Sequence, residues 1–235
     1  MWQFETEFSE IIPRVPGVKS FRFPISPEKA PFEPGQYFFL TIKVNGSEVL
    51  HHFTISSCPT DTEYLEFTKR ITEHDYSQAL DAMKPGDWAR IQGPSGSFTM
   101  PEGKQPLAFL TGGIGITPAR SILRYACTKK LDRDIVLLYS NDRNDNIIFR
   151  DELDEISAAI PGIRIEHILS EPPQSWKGRT GLINKNLIID AIPDYKERAF
   201  FISGPPRMVM SLQEQLSALR IPQDRVIRDS FTGYD

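Results

Sequence analysis

The sequence predicts a two-part β plus α/β fold, in which a closed antiparallel β-barrel is followed by a doubly wound parallel sheet. Up to about residue 100, short alternating or apolar runs are separated by turn residues, a pattern typical of antiparallel barrels. From about residue 104, strand and helix patterns alternate behind a glycine-rich loop, which is typical of a parallel sheet. The 235 residues suffice for two domains, and we expect these to span residues 1–102 and 103–235.

The strands of the first part are predicted from runs in which apolar and polar residues alternate. The pair Asn45-Gly46 is a strong signal for a hairpin between two of these runs. One short helix is predicted at Ser77–Met83, with Ser77 as its N-cap. The clearest strands are predicted at Tyr37–Val44, Val49–Ile55, Tyr64–Ile71 and Trp88–Gln92.

The second part alternates between buried strand patterns and amphipathic helix patterns. Strands are predicted at Pro106–Leu110, Ile135–Tyr139, Ile163–Leu169, Ala199–Ile202 and Val226–Phe231. Helices are predicted at Pro118–Thr128, Arg150–Ala159, Leu182–Ile192 and Arg207–Leu219. The sheet is therefore predicted to be mainly parallel, with ligands expected at the carboxyl ends of its strands.

Composition and charge exclude several classes of function. The net charge of −4 and the pI near 5.7 give no electrostatic footprint for nucleic acid. No apolar run approaches the ~18–20 residues of a transmembrane segment, and the acidic start Met1–Glu5 lacks a basic and apolar leader. The chain has two cysteines, Cys58 and Cys127, which are too few to ligate a four-cysteine iron–sulfur cluster. We expect a cytoplasmic protein with free thiols.

The run Thr111–Pro118 is typical of a loop that binds phosphate. Gly112, Gly113 and Gly115 allow a sharp turn and a close approach of backbone to ligand. The helix behind them offers unpaired N–H groups and its positive dipole end to a pyrophosphate. Pro118 suits the first helical position. A tight strand–helix turn without a ligand is the alternative interpretation, because the standard Gly-x-Gly-x-x-Gly spacing is missing.

Two further segments are candidate parts of the same binding site. In Phe200–Met208, a strand turns abruptly at Gly204 before a helix, so a second strand end is predicted to flank the same crevice. A stiff connector is the alternative. In His51–Ser57, alternation places Phe53 and Ile55 on one face, with His52, Thr54 and Ser56 on the other. The alternative there is an ordinary strand with Phe53 in the core.

With these segments taken together, the chain resembles the ferredoxin–NADP reductase superfamily over nearly its whole length. The resemblance implies an antiparallel Greek-key β-barrel that binds FAD, followed by an NAD(P)-binding α/β domain, without a fused iron–sulfur domain. The matching segments, in chain order, are His51–Ser57, Lys84–Asp87, Gly93–Phe98, Thr111–Pro118, Ser203–Met208 and an aromatic C-terminus.

On the flavin side, the resemblance implies that the family motif Arg-x-Tyr-(Ser/Thr) stands here as His51, His52, Phe53 and Thr54. The family's Arg binds the FAD pyrophosphate, and its Tyr stacks on the flavin ring. Phe53 keeps the aromatic face that stacking needs, whereas His51 lacks the charged guanidinium fork. The Thr54 hydroxyl is implied beside the flavin N5 atom.

A second phosphate contact is implied where the chain enters the short helix. Lys69 or Arg70 supplies the positive charge that His51 lacks, and Ser77 supplies the hydroxyl. The alternative is a solvated basic pair on an edge strand.

On the nicotinamide side, the resemblance implies two dinucleotide-binding motifs, formed by Gly112, Gly113, Gly115, Thr117 and Pro118 and by Gly204, Pro205 and Pro206. Ser203 stands where the family usually has a Cys beside the nicotinamide. Phe231 is the expected C-terminal aromatic next to the flavin, with Tyr234 as the alternative. Thr54, Ser203 and Phe231 are therefore the residues expected nearest the reacting atoms.

The implied function is transfer of hydride from NAD(P)H to FAD, and then of electrons to a separate acceptor. A redox protein such as a ferredoxin or an oxygenase component is the expected acceptor. A flavin or ferric reductase with small acceptors, and a non-catalytic nucleotide-binding subunit, are the alternatives. Asp142 favours NADH and Arg143 favours NADPH, with a slight preference for NADH expected.

Overall fold

The computed structural model describes residues 1–26 and 28–231 and divides into two units. The first unit contains Met1–Met100 and Arg120–Tyr125, and the second contains Pro101–Ala119 and the chain from Ala126 onward. The domain boundary between residues 102 and 103 stays a prediction. No helix within the described residues has the length and apolar character to cross a lipid bilayer.

The first unit is built from antiparallel strands, as predicted. Its elements are β1 (Trp2–Glu7), β2 (Glu10–Val15), β3 (Val18–Phe23), β4 (Tyr37–Val44), β5 (Ser47–Thr54), β6 (Leu65–Arg70), α1 (Asp75–Ala82) and β7 (Trp88–Ser95). The strand orders are β1-β7-β4-β5 and β2-β3-β6. An isolated antiparallel bridge between Ile55 and Phe67 joins the end of β5 to β6. The described strands therefore form two linked sheets rather than the closed barrel that we predicted.

Phenylalanine side chains fill the space between these two sheets. The Phe67 ring lies 5.0 Å from the ring of Phe21, 5.9 Å from that of Phe23 and 5.7 Å from that of Phe38. All four side chains are fully buried. Large aromatic rings contribute much of the apolar area removed from water, so this cluster holds the two sheets face to face.

The start of α1 differs from the prediction. The helix begins at Asp75, and its N-cap is His74, whose side chain makes no capping hydrogen bond. Ser77 is the third helical residue, and its hydroxyl accepts a hydrogen bond of 2.8 Å from the backbone N–H of Thr72. The predicted N-cap role of Ser77 is wrong because this bond folds the preceding loop over the first helical turn.

The second unit is a parallel sheet with intervening helices, which confirms the prediction. Its elements are β8 (Leu107–Gly112), the two ends of α2 (Ile116–Thr128), β9 (Ile135–Asn141), α3 (Arg150–Ala159), β10 (Ile163–Leu169), β11 (Arg179–Thr180), α4 (Lys185–Ala191), β12 (Ala199–Gly204), α5 (Pro206–Ala218) and β13 (Val226–Ser230). The middle of α2, Arg120–Tyr125, belongs to the first unit. The strand order is β11-β10-β9-β8-β12-β13. The chain adds strands on one side of β8 and returns to the other side at β12. The point where strand order reverses therefore lies between β8 and β12, where such sheets bind ligands.

Candidate functional site

The two predicted nicotinamide motifs lie side by side at this reversal point. Ser203 on β12 is in register with Thr111 on β8. The loop after β8 also touches the end of β12, because a methyl group on Gly115 would lie 2.3 Å from the carbonyl oxygen of Ser203. The structure therefore brings together segments that are far apart in the chain, and it does so at the carboxyl edge of the sheet.

The first of these loops has one open side. Gly113 begins a single 3₁₀ turn, Gly113–Gly115, that leads into α2. Its φ of +51° is in the left-handed region, and no described atom beyond its chain neighbours lies within 4 Å of where a side chain would begin. Glycine suits such a position. The N–H groups in the first turn of a helix lack intrahelical partners, so the open side fits an anion such as a pyrophosphate.

Side-chain hydroxyls contact every carbonyl of the 3₁₀ turn. Each of the three carbonyl oxygens accepts a hydrogen bond from a different hydroxyl: Gly113 from Tyr139 at 3.0 Å, Ile114 from Thr117 at 3.2 Å, and Gly115 from Ser203 at 2.7 Å. Ser203 and Tyr139 are fully buried. Ser203 was expected beside the nicotinamide, and that role stays a prediction. Tyr139 was not predicted as a site residue.

The prolines of the two motifs take different helical positions. Pro118 is the third residue of α2 rather than the first, because the 3₁₀ turn runs directly into the helix. Its missing N–H is still tolerated in the first turn. In the second motif, Pro205 is the N-cap of α5 and Pro206 is the first helical residue. The role that we predicted for Pro118 is therefore taken by Pro206.

The C-terminal segment lies against the second motif. Asp229 on β13 is in register with Ser203, and the backbone N–H of Phe231 donates to the carbonyl oxygen of Gly204 at 3.1 Å. The last strand ends at Ser230, one residue before the predicted end. Phe231 is thus next to Gly204, while its expected place beside the flavin stays a prediction. Tyr234 lies outside the described residues.

The segment after β9 carries the groups expected to select the nucleotide. Burial alone would raise the pKa of the Asp142 carboxyl. Hydrogen bonds from the Asn146 amide at 2.6 Å and the Arg143 backbone N–H at 2.8 Å instead hold that pKa below its ordinary range. The Arg143 side chain pairs with Asp145 at 3.2 Å. At the end of β9, the buried Asn141 amide nitrogen has no hydrogen-bond partner in the part of the chain described. An acceptor on a ligand would satisfy that nitrogen.

The predicted flavin motif lies at the end of β5. The His51 ring contacts the Tyr76 ring, with 4.1 Å between centroids. Phe53 is 8% exposed and packs between Phe67 at 4.7 Å and Tyr76 at 6.0 Å. It therefore belongs to the core, which is the alternative that the sequence left open, and its stacking on a flavin stays a prediction. The exposed His52 lies on the opposite face, 5.2 Å from the Tyr37 ring, and Thr54 is in register with Tyr37.

Lys69 and Arg70 differ in their surroundings. Lys69 is 6% exposed, and burial lowers its pKa to about 8, whereas Arg70 is partly exposed. Burial and the nearby charges of Lys69 and His52 lower the pKa of His51. At neutral pH the imidazole is therefore largely uncharged, while the Lys69 ammonium is largely protonated. Because Lys69 is buried, a solvated basic pair does not describe it, and its charge fits a phosphate bound beside His51.

Thr72 is a candidate ligand that the sequence analysis missed. Its backbone N–H is bound by Ser77 and its carbonyl oxygen accepts from the Gln78 amide at 2.7 Å. Its side-chain hydroxyl is buried without a hydrogen-bond partner among the residues described. A buried hydroxyl of this kind is satisfied when a ligand supplies an acceptor. The only signal in the sequence was its place between Ile71 and Ser77, within the segment implied to bind phosphate.

Glu66 holds the segment that follows the flavin motif. The backbone N–H groups of Ser56 and Ser57 donate to its carbonyl oxygen at 2.8 and 3.3 Å. Its carboxylate is fully buried and receives three guanidinium groups, those of Arg14, Arg22 and Arg120. This polar cluster therefore fixes the backbone just after Thr54.

Two family models match the chain, one in each half. A model described as an oxidoreductase FAD-binding domain matches residues 11–100. A model described as an oxidoreductase NAD-binding domain matches residues 109–214. The order of the two models is the order in which the flavin and nicotinamide motifs occur along the sequence.

Curated relatives resemble most of the chain. NADH-cytochrome b5 reductase 1 of Cryptococcus neoformans is 25% identical over 219 residues, which cover 88% of this chain and 74% of the relative. The reductase subunit of stachydrine N-demethylase from Rhizobium meliloti is 30% identical over 230 residues, which cover 94% of this chain and 64% of the relative.

Solved structures share the fold. The cytochrome b5 reductase domain of Ulva prolifera nitrate reductase has a TM-score of 0.85 at 21% identity and covers 97% of both chains. A ferredoxin NADP+ reductase from Neisseria gonorrhoeae has a TM-score of 0.82 at 19% identity, covering 97% of this chain and 98% of that one. The chain belongs to the ferredoxin–NADP reductase superfamily and is an NAD(P)H-dependent oxidoreductase that uses FAD.

Proposed function

We propose that this protein takes electrons from NADH through FAD and passes them to a separate redox protein, of the ferredoxin, cytochrome b5 or oxygenase-component type. The observation that carries the proposal is the contact between the Gly115 loop and Ser203, by which the two predicted dinucleotide motifs meet at the reversal point of the sheet. FAD, when bound, supplies a group that accepts hydride and releases electrons singly. The protein's own residues bind and orient the two cofactors.

A separate protein acceptor is supported by the relatives and by the cysteine content. The Cryptococcus relative is named for the reduction of cytochrome b5 by NADH, and the Rhizobium relative is a reductase subunit. Both cysteines of the chain, Cys58 and Cys127, are free thiols. Four cysteine ligands of an iron–sulfur cluster are therefore not available within these 235 residues.

A preference for NADH is supported by the segment after β9. The Asp142 carboxylate is exposed and ionised at neutral pH, so it is suited to accept hydrogen bonds from the two hydroxyls of an unmodified ribose. A 2′-phosphate would meet repulsion from the same carboxylate. The positive charge of Arg143 is partly compensated by Asp145, which weakens the one group that favours NADPH.

On the flavin side, we propose that Lys69 and Thr72 bind the pyrophosphate in place of the family's arginine. Lys69 supplies the charge, the Thr72 hydroxyl supplies a donor, and neutral His51 supplies a further N–H group. Thr54 and Ser77 remain candidate hydroxyl ligands of the flavin cofactor.

The test of this proposal is anaerobic reduction of the purified, FAD-loaded protein by NADH and NADPH in parallel. We expect both nucleotides to bleach the flavin absorbance, with kcat/KM for NADH at least about tenfold higher, since one lost or repelled polar contact is worth that much. The reduced protein should then reduce a ferredoxin or cytochrome b5 faster than free flavin or a ferric chelate.

Three results would contradict the proposed function. If no flavin binds even when it is supplied in excess, the protein is not a flavoprotein reductase. If free flavin or ferric iron is reduced and redox proteins are not, the small-acceptor alternative is correct. If NADPH is the better donor, the assignment of Asp142 is wrong.

Replacing Lys69 with Met should weaken FAD binding by about 10- to 100-fold, the effect of removing one hydrogen bond to a charged group. FAD affinity of the unmodified protein should also fall as the pH rises through about 8, because the ammonium loses its proton there. The Lys69→Met variant should lack this decline. Fluorescence quenching of FAD by the apoprotein measures both effects.

The matched control is Arg70→Met, which removes the neighbouring, more exposed cation. We expect it to change FAD affinity by less than about threefold, because an exposed charge is well screened. If Arg70→Met weakens FAD binding as much as Lys69→Met does, the charge is supplied by the strand as a whole and not by Lys69.

A further inference from the structure

We infer that the hydroxyls of Ser203 and Tyr139 are positioning groups that hold the loop Gly113–Gly115 in its ligand-binding conformation before the dinucleotide arrives. The inference rests on the proposed function only in placing the dinucleotide at this loop. It assigns a role to Tyr139, which no motif singles out. It also gives Ser203 a role other than contact with the nicotinamide.

A row of polar residues crosses the sheet below this loop. Ser203 on β12 is in register with Thr111 on β8, Thr111 with Tyr139 on β9, and Tyr139 with His167 on β10. Residues in register on neighbouring parallel strands point to the same face. The inner strands of a parallel sheet are usually apolar throughout, so a polar row at this place calls for a physical explanation.

For Ser203 and Tyr139, two non-local hydrogen bonds provide that explanation. The Tyr139 hydroxyl donates to the Gly113 carbonyl at 3.0 Å, and the Ser203 hydroxyl donates to the Gly115 carbonyl at 2.7 Å. Each donor reaches the loop from a different strand. The third hydroxyl, that of Thr117, bonds a carbonyl three residues earlier, which is common within helices. The non-local pair therefore carries the inference.

Fixing these carbonyls also fixes the direction of the N–H groups. In a trans peptide, the C=O and the following N–H point in opposite directions. With the Gly113 carbonyl held toward the Tyr139 hydroxyl, the N–H of Ile114 points away from that hydroxyl. At the other end, the Ile116 N–H closes the turn onto the carbonyls of Gly113 and Ile114. The bond to Ser203 then fixes the last peptide of the turn.

Such anchoring lowers the entropic cost of binding. A turn with glycine at two of its three positions has many accessible conformations. Hydroxyls on rigid strands restrict those conformations before the ligand binds, and preorganisation of this kind increases affinity without a new ligand contact. A thiol is a weaker hydrogen-bond donor than a hydroxyl, so serine at position 203 holds the Gly115 carbonyl better than the family's cysteine would.

The test compares Tyr139→Phe and Ser203→Ala in the FAD-loaded protein. We expect each variant to raise the Kd for NAD+, measured by calorimetry, and the KM for NADH by about 5- to 10-fold, the effect of one neutral hydrogen bond. We expect kcat of Tyr139→Phe to change by less than about twofold. Amide hydrogen exchange of residues 112–117 should become faster in both variants without ligand, and Ser203→Cys should recover part of the affinity.

The matched control is Ser157→Ala, because the Ser157 hydroxyl also donates to a backbone carbonyl, that of Ile163 at 3.1 Å. It should lower Tm without changing the Kd for NAD+. If Tyr139→Phe and Ser203→Ala behave like this control, the two hydroxyls are merely structural and the inference is wrong. A fall in kcat with KM unchanged in Ser203→Ala would also overturn it, since Ser203 would then act on the reacting atoms.

Failure of the inference is distinguishable from failure of the proposed site. In the unmodified protein, NAD+ should protect the amides of residues 112–117 from exchange. If NAD+ binds but protects other residues, the placement of the dinucleotide is wrong. If NAD+ protects these amides and neither substitution changes its Kd, the placement is supported and the positioning role is not.

Discussion

Replacing Glu66 with Gln is expected to lower the free energy of unfolding by about 3–5 kcal/mol. The carboxylate is fully buried, and it is the shared counter-ion of three arginines. Glutamine has nearly the same shape but no charge. The substitution therefore leaves buried or half-buried guanidinium groups without their shared counter-ion, which is the costly way to break a buried ion pair.

The geometry of this cluster explains why the effect should be large. The Glu66 carboxylate lies 3.0 Å from Arg14, 2.8 Å from Arg22 and 2.6 Å from Arg120. The Arg120 side chain is 4% exposed and also donates to the carbonyl oxygen of Ser56 at 2.9 Å. Loss of the carboxylate thus disturbs the backbone segment that follows the flavin motif, and we expect FAD affinity to fall together with stability.

The same cluster predicts a pH dependence. Burial alone would raise the pKa of Glu66, but the arginines together lower it below its ordinary value of 4.5. A carboxyl group with a lowered pKa contributes stability that is complete above its unfolded pKa and lost as the pH falls through its folded pKa. The difference in stability between the unmodified protein and Glu66→Gln should therefore be constant at neutral pH and shrink below about pH 4.

Urea-induced unfolding at several pH values measures these effects, and Glu48→Gln is the control. Glu48 forms an ion pair with Arg90 on an exposed part of the surface, where such pairs contribute about 0–1 kcal/mol. We expect this control to change stability by less than 1 kcal/mol. An equal effect of the two substitutions would show that Glu66 is not a structural centre of the first unit.

Local patterns in the sequence predicted the elements well. The helix Arg150–Ala159 and the strand Tyr37–Val44 have the predicted bounds, because periodicity and flanking turn residues act over a few positions. The glycine and proline motifs were predicted for the same reason. The closed barrel was not confirmed, because closure depends on pairing between distant strands. Sequence periodicity indicates which face of a strand is buried, but it does not indicate which distant strand is its partner.

The residues that the sequence did not reveal depend on contacts between distant positions. In the sequence, Tyr139 is indistinguishable from any aromatic residue of a buried strand. Its inferred positioning role follows from a hydrogen bond to Gly113, 26 residues away. Glu66 reads as one acidic residue in an apolar run, and Arg120 reaches it across 54 residues. For Phe53, the motif indicated a flavin contact while packing against Phe67 and Tyr76 made it a core residue. Such roles arise from strand register, which no single motif encodes.

Replacing Gly115 with Ala is expected to abolish measurable NADH binding and to destabilise the second unit by about 3 kcal/mol. The added methyl group would lie 2.3 Å from the carbonyl oxygen of Ser203 and 2.6 Å from the α-carbon of Gly204. Both neighbours are backbone, so no side-chain rotation relieves the clash. The loop and the end of β12 must separate, which breaks the hydrogen bond from Ser203 and disrupts both dinucleotide motifs at once.

Gly113→Ala separates the two effects of Gly115→Ala. A methyl group at Gly113 meets open space, so its cost is the left-handed φ of +51°, about 1–2 kcal/mol. That methyl group nevertheless projects toward the proposed pyrophosphate, and NAD+ affinity should fall at least about tenfold, with a smaller loss of stability than in Gly115→Ala. Calorimetric titration with NAD+ and thermal unfolding measure the two quantities. If Gly113→Ala binds NAD+ normally, the open side of the loop is not where the dinucleotide lies. If Gly115→Ala folds and binds normally, the contact between the two strand ends does not build the site.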